Sequence, residues 1–383
     1  MTTVARERDL LEPQDQPVSD VGQYSQWKLM RMRFMRNRLA MVGFIGLVVM
    51  YITVALAPFL SPNHYMMQNP NYQYGPPTKV TLRGPDGTLG FRPYVHPVET
   101  ALSMETYLWE FTPDESVFVP VRLLVRGDPY TMLGFIETDI HLFGTGREDV
   151  RIYLLGTDLL GRDMLARTLQ GGQISMTVGL VGVALSIVFG SIMGTASGYF
   201  GGFIDDIMQR IIEVIMAFPT VPLWAALAAA LPAISETFTL LHRYFFITVI
   251  LSLVTWTGLA RQLRAKVMSY SRSDFTLAAL AAGASDTRVI MVHMLPNAAS
   301  HIIVVAALSI PGMILGETAL SFLGLGILPP LVSWGSLLRG AQQLPVVLNA
   351  PWLMLPGIAV IITVLFFSFL GDGLRDAVDP YSI

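Results

Sequence analysis

The chain has no cysteine among its 383 residues, which excludes disulfides and thiol chemistry. Charge is scarce as well. Asp, Glu, Lys and Arg make up 14% of the residues, against roughly 25% in soluble domains. The formal net charge of −3 offers no basic surplus for nucleic acid. Catalytic signatures are missing in the same way. There is no GxxxxGK[ST] loop; Gly190–Gly194 is followed by Thr195, with no lysine to reach phosphate oxygens. HExxH and GxSxG are absent too, which removes the cheap signatures of a metalloprotease and a serine hydrolase. The six histidines (His64, His96, His141, His242, His293 and His301) form no ligand cluster in sequence, and Pro296 separates His293 from His301. A membrane-embedded enzyme therefore has no nucleophile or metal constellation to work with.

What the chain has instead is apolar length. Hydrophobic residues make up 52% of it. Runs long enough to cross about 30 Å of hydrocarbon occur near Leu39–Leu60, Thr177–Ser197, Ile207–Leu231, Phe245–Ala260, Ala298–Phe322 and Trp352–Leu370. Six spans are expected, the fourth the shortest. Pro219, Pro222, Pro311 and Pro356 fall inside or beside these runs, where neighbouring helices can satisfy the carbonyls a proline frees.

Charge sets the expected orientation. Lys28, Arg31, Arg33, Arg36 and Arg38 precede the first span, with no acid between Val21 and Leu60. The segment after the fourth span carries Arg261, Arg264, Lys266, Arg272 and Arg288 against Asp274 and Asp286. The positive-inside rule puts both segments in the cytoplasm. Six spans then place both termini inside and regions 61–175, 232–244 and 323–351 outside. The expected division is a cytoplasmic tail over 1–38, a first span over 39–60, an outer insertion and interfacial segment over 61–174, a five-helix core over 175–371 and a cytoplasmic tail over 372–383. The leader before the first run is too long for the n-region of a cleaved signal, so that run reads as a retained span. Within the leader Trp27, Met30 and Phe34 lie at helical spacing beside the basic residues, the pattern of a short interfacial helix or a flanking anchor. Residues Met1 to about Asp20 are polar enough to stay disordered.

The insertion carries turn signals at Pro76-Pro77, Gly84-Pro85-Asp86-Gly87 and Arg126-Gly127-Asp128. The runs Lys79–Arg83 and Thr88–Arg92 predict a hairpin around the Pro-Asp-Gly turn, and Val117–Val125 a further strand. Tyr94, Tyr107, Trp109, Phe111 and Phe118 supply aromatics for a small core. The segment fits either a cap that meets an outside partner or a stabilising elaboration on the rim. Just before the second span, Asp158 is suited to cap a short interfacial helix, and Arg162 and Asp163 to pair with each other.

The densest signal lies between two spans, in Asp274–Asn297, DFTLAALAAGASDTRVIMVHMLPN. Ala278, Ala279, Ala281, Ala282, Gly283 and Ala284 form a small-residue run bordered by charge. Ala278/Ala282 and Ala279/Gly283 are four apart, so a helix would give a smooth face for close approach. The run is far shorter than the ~20 residues of a span, which favours docking in water over packing in lipid.

This stretch resembles the coupling loop of bacterial ABC-importer permeases, marked by Glu-Ala-Ala, a Gly four residues later and a Leu-Pro. Ala278, Ala279, Gly283, Leu295 and Pro296 fit, while Leu277 stands at the Glu position and His293 where Ile is common. LGTDLLGRDMLARTLQGG (Leu155–Gly172), GYFGGFIDDIMQR (Gly198–Arg210), GETALSFLGLG (Gly316–Gly326) and LRDAVDP (Leu374–Pro380) are similar to the dipeptide/oligopeptide permease group, which also includes nickel permeases. The resemblance implies an all-α membrane protein of six transmembrane helices, with a cytoplasmic coupling loop (264–297) and a small periplasmic insertion of β-hairpin character. It further implies a transport subunit in the bacterial inner membrane with no ATPase site of its own. The expected partners are a second homologous permease, two ATPase subunits that bind ATP-Mg, a periplasmic solute-binding protein and membrane lipid. No cofactor is expected on this chain. Coupling to the ATPases is expected at Asp274, Leu277, Ala278, Ala279, Gly283, Asp286, Leu295 and Pro296. The solute would be a peptide, or an oligosaccharide, opine or nickel chelate as in related systems. A secondary transporter driven by an ion gradient is the rival, but it would show internal repeats and leave the docking loop unexplained.

Two acidic residues sit where lipid makes charge costly, at about 2.5–3.5 kcal/mol on insertion scales. Glu213 falls in the third run and Glu317 near the end of the fifth. Each reads as lining or gate of a solute path, or as a snorkelling or paired structural group. Gly324 and Gly326 read as helix breakers after the fifth span, or as close packing points.

Overall fold

The computed structural model describes residues 25–85, 88–105 and 109–378. Helix α1 (Gln26–Arg36) precedes α2 (Arg38–Ala55), and Asn37 joins them, its side chain accepting from the Ala40 amide at 3.2 Å. The spacing of Trp27, Met30 and Phe34 thus becomes a helix, while the polar leader before it lies outside the described residues. The first span ends earlier than its apolar run. A break at Leu56 starts the short α3 (Ala57–Leu60), because Pro58 in its first turn brings no amide to continue the ladder.

Among the described residues seven strands follow in three small antiparallel sheets. β1 (Thr81–Arg83) pairs with β2 (Leu89–Val95), which pairs with β5 (Val119–Pro120). The expected hairpin is present, and Asp86 and Gly87 of its turn lie outside the described residues. β3 (Val98–Leu102) pairs with β4 (Trp109–Pro113), and β6 (Arg122–Met132) with β7 (Ile136–Gly144). The single strand expected over Val117–Val125 is divided between β5 and β6. The core here is aliphatic, built from Val95, Val119, Val150 and Ile152. The expected aromatics are only partly buried, and Tyr107 lies outside the described residues.

Among the described residues five helices are long and apolar enough to span a membrane, or six if one sharply bent pair counts as a single span. They are α2, α4 (Met164–Phe200), α7 (Leu240–Tyr270), the continuous run 286–322 and the run 351–378. The last two contain α10 (Leu295–Phe322) and α13 (Leu355–Val378), with the short α12 (Leu344–Asn349) just before the second. The third expected span is not one helix. α5 (Gly202–Met216) and α6 (Thr220–Ala229) meet at 85° across Phe218-Pro219. Pro219 disfavours helical geometry at Phe218 and has no amide to give, so the helix stops there. The fourth span is 31 residues long, not the shortest. The last helix runs through Arg375 to Val378, past the expected boundary at 371. Pro311 is carried within α10, whereas Pro356 sits at the start of α13, where its missing amide costs little.

The bundle is held by glycine. Gly190, Gly194 and Gly198 recur every four residues on α4, and a Cβ on each would lie 2.9, 2.5 and 2.6 Å from the carbonyl oxygens of Trp256, Ala260 and Arg264 on α7. Only hydrogen fits at those points. Between lipid-immersed helices there is little hydrophobic drive, so close backbone contact supplies van der Waals attraction in its place.

Candidate functional site

The loop after α7 turns sharply because one carbonyl holds two hydroxyls. Ser273 Oγ and Thr276 Oγ1 both donate to Tyr270 O, at 2.5 and 2.8 Å. Thr276 is fully buried there. α8 (Asp274–Ala281) then begins with Asp274 in its first turn, where the helix dipole favours an acid. Ala279 packs inward with Ala284 on Val267, Val289 and Met294. The opposite stripe, Asp274, Leu277, Ala278 and Ala281, faces solvent. Leu277 is 53% exposed, a large apolar side chain turned largely to solvent.

Gly283 is not part of that stripe. The helix stops at Ala281, and Gly283 takes φ +82° beyond it. Its amide donates to Leu280 O at 2.9 Å, and the Ala284 amide donates to Ala279 O at 3.0 Å. This is a Schellman ending, which needs a left-handed residue after the cap. The expected Ala279/Gly283 face is corrected accordingly: Ala279 points in, and Gly283 serves the turn.

The return path is tied down equally. Ser285 starts α9 (Asp286–Arg288), and Tyr199 at the end of α4 donates its hydroxyl to Asp286 Oδ1 at 2.6 Å. Val289–Met294 then forms one π turn, which runs into Leu295 and Pro296 at the start of α10. Pro296 has no amide and would crowd the carbonyl four residues before it, and a widened turn removes that conflict. The structure thus gathers Asp274, Leu277 and Ala278 on one exposed surface, with Asp286 beside the end of α4. Leu295 is half-buried at the root of the loop, and Pro296 is exposed beside it.

Behind the loop stands a polar brace that sequence reading missed. Arg264 of α7 reaches Asp205 of α5 through two hydrogen bonds of 2.6 Å. Ser197 also donates to Asp205, and Gln209 donates to Ser197 Oγ at 3.0 Å. The signal for it was an acid pair in an apolar stretch, Asp205-Asp206, and a basic residue near the end of the next long span.

The two acidic path candidates separate. Glu213 is exposed on α5, 3.2 Å from Arg210 one turn earlier. Glu317 is fully buried. Ser175 of α4 and Ser321 of α10 donate to its two oxygens at 2.9 and 2.6 Å. Ser175 Oγ in turn accepts the Trp334 amide at 3.1 Å, at the start of α11 (Trp334–Leu338). Among the described residues no basic side chain pairs with Glu317. Arg243, also unflagged by sequence, donates to the carbonyls of Leu325 and Gly326 at 2.8 and 3.0 Å, just after α10 ends. Gly324 turns the chain there with φ +80°, while a Cβ on Gly326 would strike Ser321. The two glycines therefore take one role each.

At the start of α4, Asp163 is the helix cap, accepting the Leu165 and Ala166 amides. Asp158 instead closes the preceding turn and pairs with Arg162 at 2.7 Å. The expected roles of these residues are thereby corrected. Asp163 sits one residue before the helix, and Asp158 is five residues further back.

Comparison with known proteins decides the class. The model for the binding-protein-dependent transport system inner membrane component matches residues 186–381, just over half of the chain. The chain belongs to this permease family. A second model, the N-terminal TM domain of oligopeptide transport permease C, matches residues 25–77. The β-rich segment falls between the two matches. Among relatives of this family, the oligopeptide transport system permease protein OppC of Haemophilus influenzae is 37% identical over 66% of this chain and 77% of its own. The dipeptide transport system permease protein DppC of Alkalihalophilus pseudofirmus is 37% identical over 59% and 71%. The oligopeptide transport system permease protein OppC of Bacillus subtilis is 34% identical over 63% and 75%. A multi-pass permease of a bacterial inner-membrane transporter is thus the class of this chain.

Proposed function

We propose that the chain forms half of the translocation path of a binding-protein-dependent ABC importer for peptides. The observation that carries the coupling role is α8, a two-turn helix held rigidly at both ends that presents Leu277 and Ala278 to solvent. A second homologous permease completes the path, and two separate ATPase subunits bind ATP-Mg and supply the work. An external binding protein delivers the solute. The two basic segments put α8 and both termini in the cytoplasm and the β-rich insertion outside. The peptide assignment follows the relatives' names; oligosaccharides and other solutes of similar size are tests of its breadth.

In this reading α8 docks on an ATPase, and closure of the ATPase pair pushes it as a lever. The Tyr270 clasp, the Tyr199–Asp286 bond and the Arg264–Asp205 brace transmit the push to α4, α5 and α7. Bistable helix packing turns it into alternating access. Glu213, on the exposed side of α5, belongs to the polar lining of the path. Glu317 serves the outer gate as an internal brace.

The test is co-purification of the ATPases with variants of the complex. Ala278→Arg puts bulk and charge on the exposed stripe and should remove the ATPases and uptake while the permease stays in the membrane. Leu277→Glu restores the acid seen at this place in the family pattern and should retain both. Normal ATPase binding and uptake by the Ala278→Arg complex would refute docking through α8.

A further inference from the structure

A second polar site lies at the opposite end of α4 from the coupling loop, roughly 55 Å away at 1.5 Å per residue. A cavity of about 560 Å³ opens there between the start of α4, α11 and the chain that follows α11. Three arginines line it, Arg162, Arg167 and Arg339, and one acid, Asp158. Arg162 takes the Asp158 Oδ2 at 2.7 Å. Arg167 Nε lies 3.4 Å from the same oxygen yet makes no hydrogen bond among the described residues. Arg167 is only 7% exposed, so bulk water does not satisfy that nitrogen. Arg339 is exposed and makes no ion pair among the described residues. Its guanidinium rests over Gly324, where a Cβ would come within 2.7 Å of its Cζ.

One carboxylate thus answers three arginines, and Arg339 is left without an acidic partner among the described residues. A cavity so lined attracts an anion, and a planar guanidinium suits a carboxylate or phosphate. Leu160, Leu337, Val346 and Leu353 give it an apolar wall beside the polar Ser336, Gln342 and Gln343. We propose that this cavity binds an anionic group joined to an apolar one. Two sources carry that chemistry: the C-terminal residue of a transported peptide, and the headgroup region of an acidic phospholipid. The peptide source rests on the importer reading above; the anion site does not.

The experiment uses the assembled complex with its binding protein in proteoliposomes, with Ala-Ala-Leu and its C-terminal amide as probes. Arg339→Gln is the variant of choice because the substitution leaves no buried charge unpaired. The binding protein is the same in both preparations, so its own preference cancels when wild type and variant are compared. For a peptide source, the ratio of free-acid to amide uptake falls about fivefold in Arg339→Gln, as an exposed ion pair allows. For a lipid source that ratio stays put, and the variant instead loses the difference in ATP hydrolysis between phosphatidylcholine vesicles and those containing phosphatidylglycerol. Either response supports the site and names its source. An equal loss for both peptides, or no change in either comparison, overturns it. Failure of the wild-type complex to take up either peptide counts against the importer reading, and the lipid comparison still tests the cavity.

Discussion

Arg264 holds Asp205 in a two-point grip, Nε on Oδ1 and Nη2 on Oδ2, each at 2.6 Å. The pair joins α7 to α5 on the loop side of the bundle. It also fixes the direction of α5 after the glycine pair Gly201-Gly202, both of which take positive φ. Further along α5, Ile212 is buried against Trp256 and Ala260 of α7, so the grip acts together with packing.

The first prediction concerns that pair. The Asp205 side chain is 11% exposed and the Arg264 side chain 32%, so the interaction is neither dry nor fully screened. Asp205→Asn and Arg264→Gln should each destabilise the purified complex by about 1.5–3 kcal/mol, the range for hydrogen bonds to charged groups. The double variant should be less harmed than the sum, because no lone charge remains. Thermal unfolding of all four proteins checks this, and strictly additive losses would show that the grip carries no coupling.

A second prediction contrasts two glycines of the α4–α7 pair. A Cβ on Gly194 would lie 2.5 Å from Ala260 O, whereas one on Gly258 would meet no atom within 4 Å. Gly194→Ala must push the α4 and α7 backbones apart and should cost about 1–3 kcal/mol. Gly258→Ala should be neutral or gain up to about 1 kcal/mol, since alanine holds a helix better. Yield and melting temperature of the two variants are the measurements. Equal behaviour would refute a packing role for the stripe.

Glu317 supplies the third. Its oxygens accept from Ser175 and Ser321, and Ser175 passes the linkage to the Trp334 amide. Glu317→Gln keeps the shape and can still meet both hydroxyls, so it should assemble and transport normally. Glu317→Ala leaves a void beside unpaired hydroxyls and should lose about 2–4 kcal/mol. Transport is measured per assembled complex, so that lost assembly is not taken for lost activity. A well-assembled Glu317→Gln complex that fails to transport would make the charge itself functional and displace the brace reading.

Much of this molecule could be read from the order of its residues. Apolar runs near the length of a bilayer locate the spans, because each helix satisfies its own backbone bonds and owes little to distant sequence. The Ala-rich run and Leu-Pro pattern of 274–297 point to a docking loop for the same reason, and the hairpin around Pro-Asp-Gly is equally local. What lies between elements was not visible. The direction of Ala279 is set by packing on Val267, Val289 and Met294, and the use of Gly283 by the carbonyls of Ala279 and Leu280. Whether Glu317 meets solute or serine depends on Ser175, 142 positions away. Arg264 and Asp205 are 59 apart, and neither announces the other. A helix declares itself through neighbours one turn off, whereas a brace, a buried acid or a cationic cavity needs partners that only folding brings within 3 Å. The sequence by itself therefore determined where the apolar runs and the small-residue loop lie and the class of the protein, but not the bend between α5 and α6. The tertiary structure decided which polar groups meet, because a hydrogen bond falls away within an ångström and chain distance carries no record of it.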